Sequence, residues 1–111
     1  MTVMFLFIVM FLLVESVMYK LDEISQILSR IGDPDLIEDF LKSILTKKEA
    51  VDISSRWELV KLLDKGVSQR NIAKVLHLSL CKITRGSREL KKDNSAFKMV
   101  LKEYYHIKDK R

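Results

Sequence analysis

From Leu21 onward the apolar positions of the chain recur at helical spacing. Leu21, Ile24, Ile27, Leu28 and Ile31 fall at i, i+3, i+6, i+7 and i+10, which is one face of an amphipathic helix. Gly32 follows as a C′ residue, and Asp33-Pro34 opens a second helix, with Asp33 as N-cap and Pro34 at the first helical position. Leu36, Ile37, Phe40, Leu41, Ile44 and Leu45 give that helix a broad apolar stripe. Thr46 and Glu49 have the spacing of a capping box and predict a third helix from about 47 to 65. Its inward positions are Val51, Trp57, Leu59, Val60, Leu62 and Leu63, and Gly66 ends it.

Shorter segments follow. Ser68 caps a helix over 69–76 that turns Ile72, Ala73, Val75 and Leu76 inward. His77-Leu78 makes a tight turn, and Ser79 caps a helix over 80–92. Asp93-Asn94-Ser95 breaks the pattern before a last helix over 96–105, built on Phe97, Val100, Leu101 and Tyr104, with a polar, frayed tail at 106–111. Three glycines and one proline are too little punctuation for a many-turned β fold. The expectation is an all-α, six-helix protein of one small domain, preceded by an apolar N-terminal extension.

That extension, residues 1–17, begins with fourteen uncharged residues, MTVMFLFIVMFLLV, and meets its first charge at Glu15. It lacks the basic n-region and small-residue cleavage site of a secretory signal. It is short for a membrane span, which takes about 20 apolar residues. Two readings stay open: translation that begins at Met18, which leaves a domain over 18–111, or a short membrane anchor. An anchored chain would keep its basic bulk in the cytosol.

Charge changes the picture of the second half. Residues 1–65 hold eight Lys and Arg against eleven Asp and Glu, a net −3; residues 66–111 hold twelve against four, a net +8. A positive half of this strength suggests a polyanionic partner. Cys81 is the single cysteine, so an intramolecular disulfide is excluded and a cytoplasmic setting is expected. There is no metal-ligand cluster, no nucleophile–base pair at recognisable spacing and no phosphate-binding glycine loop, so the chain does not read as an enzyme. No cofactor is expected.

Within the basic half, residues 69–92 have the marks of a helix-turn-helix. Ala73 is small where two helices cross closely, Leu76 and Leu78 flank the turn, and Ile83 plugs the gap. The second helix projects Leu80, Cys81, Thr84, Arg88 and Lys91 on its other face. An ordinary hairpin with a solvated basic face is the bland alternative. His77 stands where such turns most often use glycine, because a left-handed backbone suits the position.

The segment from Gly66 to Lys91, with SQR at 68–70 and ITRGS at 83–87, resembles the bacterial trp repressor family, and the likeness extends over roughly residues 36–104. The resemblance implies an intertwined homodimer that binds a palindromic DNA operator when L-tryptophan is bound as corepressor. It implies that Arg56 and Arg85 sandwich the indole, with Arg85 also pairing the carboxylate. Gly86 would let the ring approach the helix backbone. Leu45 and Thr46 would line the polar end, Leu59 would form an apolar wall, and Glu89 stands where a serine approaches the ammonium. DNA contacts are implied for Ser68, Gln69, Arg70, Leu80, Cys81, Thr84, Ser87, Arg88 and Lys91. The chain departs from the family at Lys82, where a small hydroxyl residue is usual, at Glu89, and by one residue fewer after Thr46. Two other readings are a regulator of the same superfamily that ignores tryptophan, and a membrane-anchored basic interaction protein if residues 1–17 are real.

Overall fold

The structure is a computed structural model that describes the backbone of residues 2–18 and 20–109 and the side chains of residues 2–14 and 20–109. Tyr19, which belongs to the alternative start at Met18, and the last two residues of the expected tail lie outside the described residues. All regular structure among the described residues is helical: α1 (Thr2–Met18), α2 (Leu21–Arg30), α3 (Pro34–Ile44), α4 (Lys47–Asp64), α5 (Gln69–Leu76), α6 (Leu80–Lys91) and α7 (Ala96–Asp109). The chain divides into two units, the first ending at Ile44 and the second beginning at Leu45.

The first unit holds α1 to α3. Apolar side chains of α1 from Val3 to Val14 are exposed around the helix. No helix among the described residues is long and apolar enough to cross a membrane. α2 stops at Arg30 because Ile31 turns to extended backbone (φ −84°, ψ 115°). Gly32 was expected as the C′ residue, but it does not take up a left-handed conformation; Gly66 is the one described glycine that does. Asp33 caps α3 as expected, its Oδ1 accepting from the Asp35 N–H at 3.0 Å. Neither α2 nor α3 buries a residue. Their apolar stripes border an open cleft of about 370 Å³ formed by Ile24, Ile27, Leu28, Ile31, Leu36 and Phe40 beside Glu23.

The second unit holds the core. The Thr46 hydroxyl accepts from the Glu49 N–H at 3.1 Å, and the Glu49 carboxylate accepts from the Thr46 N–H at 2.9 Å, closing the capping box at the start of α4. At the other end Val67 N–H donates to the Leu62 carbonyl and Gly66 N–H to the Leu63 carbonyl, both at 3.0 Å, with Gly66 at φ 86°. This paired bonding is the Schellman motif that Gly66 allows. α4 packs on α5 and α6, α5 on α6, and α6 on α7.

Two buried clusters result. Leu59, Ile72 and Ile83 join α4, α5 and α6, with Leu62, Leu63, Val67, Ala73, Leu76 and Leu78 around them. Val60, Leu90 and Leu101 join α4, α6 and α7, with Trp57, Phe97 and Tyr105 around them. Val51, Val75 and Val100, expected inward, are exposed: 58%, 68% and 54%. Periodicity assigned each to a helix face, but no neighbouring element among the described residues covers it. α7 also runs to Asp109, past the expected end at Tyr105. Lys61 and Lys108 lie 5.0 and 5.5 Å from the Tyr104 ring centre, and that turn of α7 continues as helix beyond them.

Candidate ligand and nucleic-acid site

The helix-turn-helix is built from its caps inward. Ser68 Oγ accepts from the Asn71 N–H at 3.2 Å and starts α5; Ser79 Oγ accepts from the Lys82 N–H at 3.4 Å and starts α6. Between them His77 adopts left-handed backbone, φ 53° and ψ 40°, and turns the chain without glycine. On α6 the buried residues are Ile83, Gly86, Ser87 and Leu90, spaced i, i+3, i+4 and i+7. That spacing is one complete inward stripe. Leu80, Cys81, Thr84, Arg85, Arg88 and Lys91 are consequently exposed, as are Ser68, Gln69 and Arg70 at the start of α5. Ser87 departs from this group: at 8% exposure it belongs to the inward stripe and is not presented on the outer face.

Between α4, α6 and α7 lies an open cleft of about 590 Å³ lined by Arg56, Cys81, Lys82, Arg85, Gly86, Glu89 and Phe97. Its size is in the range of small-molecule sites. Arg56 comes from α4, the next five from α6, and Phe97 from α7. Three cations and one carboxylate thus surround a space with an aromatic wall. A guanidinium can stack on an aromatic face and pair a carboxylate bidentately, so this set suits a planar ligand bearing an acid group. The Glu89 carboxyl is held below the usual carboxylate range, first by its hydrogen bond to Lys92 and further by the nearby Arg85 and Arg88 charges.

Of the residues expected around a ligand, Arg56, Arg85, Gly86 and Glu89 line this cleft, while Leu45, Thr46 and Leu59 do not. Thr46 is engaged at the α4 N-terminus, and Leu59 is buried at 1% exposure in the α4–α5–α6 cluster. Gly86 has a second duty. A β-carbon there would stand 2.9 Å from Leu59 Cδ2 and 3.6 Å from Leu63 Cδ1. The room left by the missing side chain is therefore taken up by α4, and the glycine lets the two helices approach. Phe97 and Cys81 had not been read as cleft residues. Cys81 lies one residue before Lys82 and could have been found from its place on α6; nothing local to Phe97 marks it.

Comparison with known proteins bears on this geometry. A family model described as Trp repressor protein matches residues 19–105, beginning well upstream of residue 36, where the motif likeness starts. A Trp operon repressor homolog of Chlamydia caviae is 37% identical over 78 residues, covering 69% of this chain and 77% of the relative. A Trp operon repressor homolog of Chlamydia trachomatis serovar L2 is 32% identical over 76 residues, covering 68% of this chain and 81% of the relative. No solved structure matches the chain.

Proposed function

Because this chain belongs to the Trp repressor family, we propose that it is a tryptophan-activated repressor that binds a palindromic operator as a homodimer. The observation that carries the proposal is the shared cleft: Arg56 of α4 and Arg85 of α6 line one space on the recognition helix. A ligand there touches both the helical core and the helix that presents Leu80, Cys81, Thr84, Arg88 and Lys91. Filling the cleft sets the position of α6 against α4, and with it the fit of the outer face to a major groove. Arg56 and Arg85 stack on the indole, and Arg85 pairs the carboxylate. The regulated genes are those of tryptophan biosynthesis or uptake, and the protein acts in the cytoplasm.

Homodimer formation rests on uncovered apolar surface. Leu21, Ile27, Leu36, Leu41 and Ile44 of the first unit are all at least 40% exposed, as are Val51, Ile53, Met99, Val100 and Ile107 of the second. Exposed apolar area on this scale marks an interface. A second copy interlacing its helices would cover it and would bring Leu45 and Thr46 of one chain to the cleft of the other. Half-sites would then lie about one helical turn apart, or a multiple of it.

Calorimetry with L-tryptophan tests the ligand assignment. Wild type gives a binding isotherm and Arg85→Ala weakens it by far more than it weakens nonspecific DNA affinity. Absence of heat, with operator binding indifferent to tryptophan, would leave a regulator of the same family that answers to something else. Residues 1–17 stand apart from the repressor domain at 18–111 in this reading. The exposed apolar side chains of α1 between Val3 and Val14 favour membrane attachment as a second role where the segment is present. Intact-mass measurement of the native protein reports whether it is.

A further inference from the structure

α1 carries no charge before Glu15. From Val3 to Val14 every large apolar side chain except Val9 is between 54% and 72% exposed. The helix therefore has no polar side over that stretch. A groove on a protein, or a second copy of α1, covers one stripe of such a helix and leaves its other sides wet; acyl chains cover all of them. A helix lying in the plane of a membrane surface needs a polar face, which α1 lacks between Val3 and Val14. The uncharged helical stretch is about 20 Å long at about 1.5 Å per residue. It is longer than one leaflet, about 15 Å, and shorter than the hydrocarbon core of about 30 Å, and no helix among the described residues is long and apolar enough to cross. The occupant that fits is a bilayer entered obliquely from one side, with Glu15 and all that follows it left on that side.

Farther along the same chain, residues 66–92 hold seven Lys and Arg against one Glu, a net +6. Arg70, Lys74, Lys82, Arg85, Arg88 and Lys91 are exposed. Among the described residues none of the six takes part in an ion pair. An anionic leaflet and a DNA duplex both present phosphate oxygens to such cations, so each can take the place of the other.

We propose that α1 holds the chain on a bilayer and that the basic face of α5 and α6 exchanges between anionic lipid headgroups and DNA, which makes membrane surface and DNA alternative partners of one face. The proposal rests on the membrane-attachment role above and adds what that attachment does. Once α1 is inserted, the meeting of the basic face with lipid is intramolecular and proceeds at a raised effective concentration. Each Lys or Arg near an anionic leaflet then strengthens it by roughly fivefold. A neutral bilayer retains α1 but offers the cations no net charge, so the face stays available to DNA.

The first measurement is flotation of the full chain with vesicles of phosphatidylcholine alone, or of phosphatidylcholine and phosphatidylglycerol in equal parts. Wild type should float with both. The double variant Phe7→Glu, Phe11→Lys places an i,i+4 charge pair that suits a helix at positions 68% and 62% exposed, where no packing is lost. It should not float with the neutral vesicles.

The second measurement is affinity for a random-sequence duplex. The mixed vesicles should lower it by roughly tenfold or more in wild type, the effect of about two lysines or arginines engaged by lipid. The neutral vesicles should leave it nearly unchanged, and the α1 variant should lose much less to the mixed vesicles. Cys81, the single cysteine, is exposed on α6 and reports on the face directly. Its reaction with a water-soluble maleimide should slow several-fold when mixed vesicles, but not neutral ones, are added to wild type. An equal loss of DNA affinity with neutral vesicles, an equal loss in the α1 variant, or a Cys81 rate indifferent to the mixed vesicles overturns the exchange, while flotation with neutral vesicles keeps attachment standing. Wild type that floats with neither vesicle and associates with itself instead overturns attachment and exchange together.

Discussion

Leu59 Cδ2 stands 2.9 Å from the point where a β-carbon on Gly86 would be. The contact joins α4 to α6 at the floor of the second unit, one turn along α4 from Arg56 and next to Arg85 on α6. The spacing of the two arginines therefore depends on how closely Leu59 seats against the glycine. Leu59 is 1% exposed, so a β-carbon on Gly86 would require its side chain to shift within the packed α4–α5–α6 cluster.

Gly86→Ala should accordingly destabilise the protein although alanine is the better helix former. Overpacking costs about 1–3 kcal/mol, and the helix-propensity gain of about 1 kcal/mol offsets part of it. A net loss of about 1 kcal/mol in chemical denaturation is expected, with weakened tryptophan binding as α4 is pushed from α6. Leu59→Val removes the atom in the way, so the double variant should be more stable than additivity predicts, by about 0.5 kcal/mol or more. Strict additivity would mean that the helices do not meet at these residues.

His77 holds a left-handed backbone at φ 53°, which glycine adopts without steric cost. His77→Gly should raise stability by about 0.5–1 kcal/mol, less the greater freedom it gives the unfolded chain. Asn94 sits at φ 57°, but asparagine tolerates that region, so Asn94→Gly should change the melting temperature less. A lower melting temperature for His77→Gly would show that the imidazole makes a stabilising contact of its own.

Acid should weaken the start of α4. The Thr46 N–H and hydroxyl, bonded to Glu49, hold its carboxyl below the reference value of 4.5. A folded-state pKa below the unfolded one gives stability that is present above the unfolded value and lost as pH falls through the folded value. Wild type should therefore melt above Glu49→Gln at neutral pH, and the two curves should converge as pH falls through the lowered value of Glu49. A constant difference across pH would place the effect elsewhere. Thr46→Ala, which removes the hydroxyl cap itself, should cost about 1 kcal/mol at neutral pH and less once Glu49 is protonated.

In the proposed repressor, phosphate contacts and base readers on α5 and α6 are separable by experiment. Lys91→Ala should weaken binding about equally on all duplexes and reduce the salt slope by about 1. Arg70→Ala should instead relax discrimination at one base position by about 1–3 kcal/mol. Ser87 is buried, so Ser87→Ala should alter thermal stability and leave the salt slope unchanged. A changed slope in Ser87→Ala would return that residue to the outer face.

Most helix starts were legible because capping is local. Asp33, Thr46, Ser68, Ser79 and Ser95 each take up a neighbouring backbone N–H two or three residues on, a geometry that a few residues specify by themselves. The same holds for Gly66, whose positive φ completes the end of α4. Gly32 falls at C′ as expected but without a left-handed turn: a glycine after a helix permits one without requiring it, and Ile31 had already gone extended.

What the sequence determined by itself was the order and nature of the helices, the helix-turn-helix with its caps, the basic second half and the family. These depend on residues close in sequence or on motif spacing within one or two helices. What only the tertiary structure decided was which residues share a space. Phe97 reaches the cleft from α7, Leu59 packs against Gly86, and Val51 and Val75 face outward although their positions read as inward. The physical reason is common to all three. Helical periodicity says which side chains share a face, but the neighbour that covers a face comes from elsewhere in the chain, and the crossing of α4 on α6 is set by the one position without a side chain.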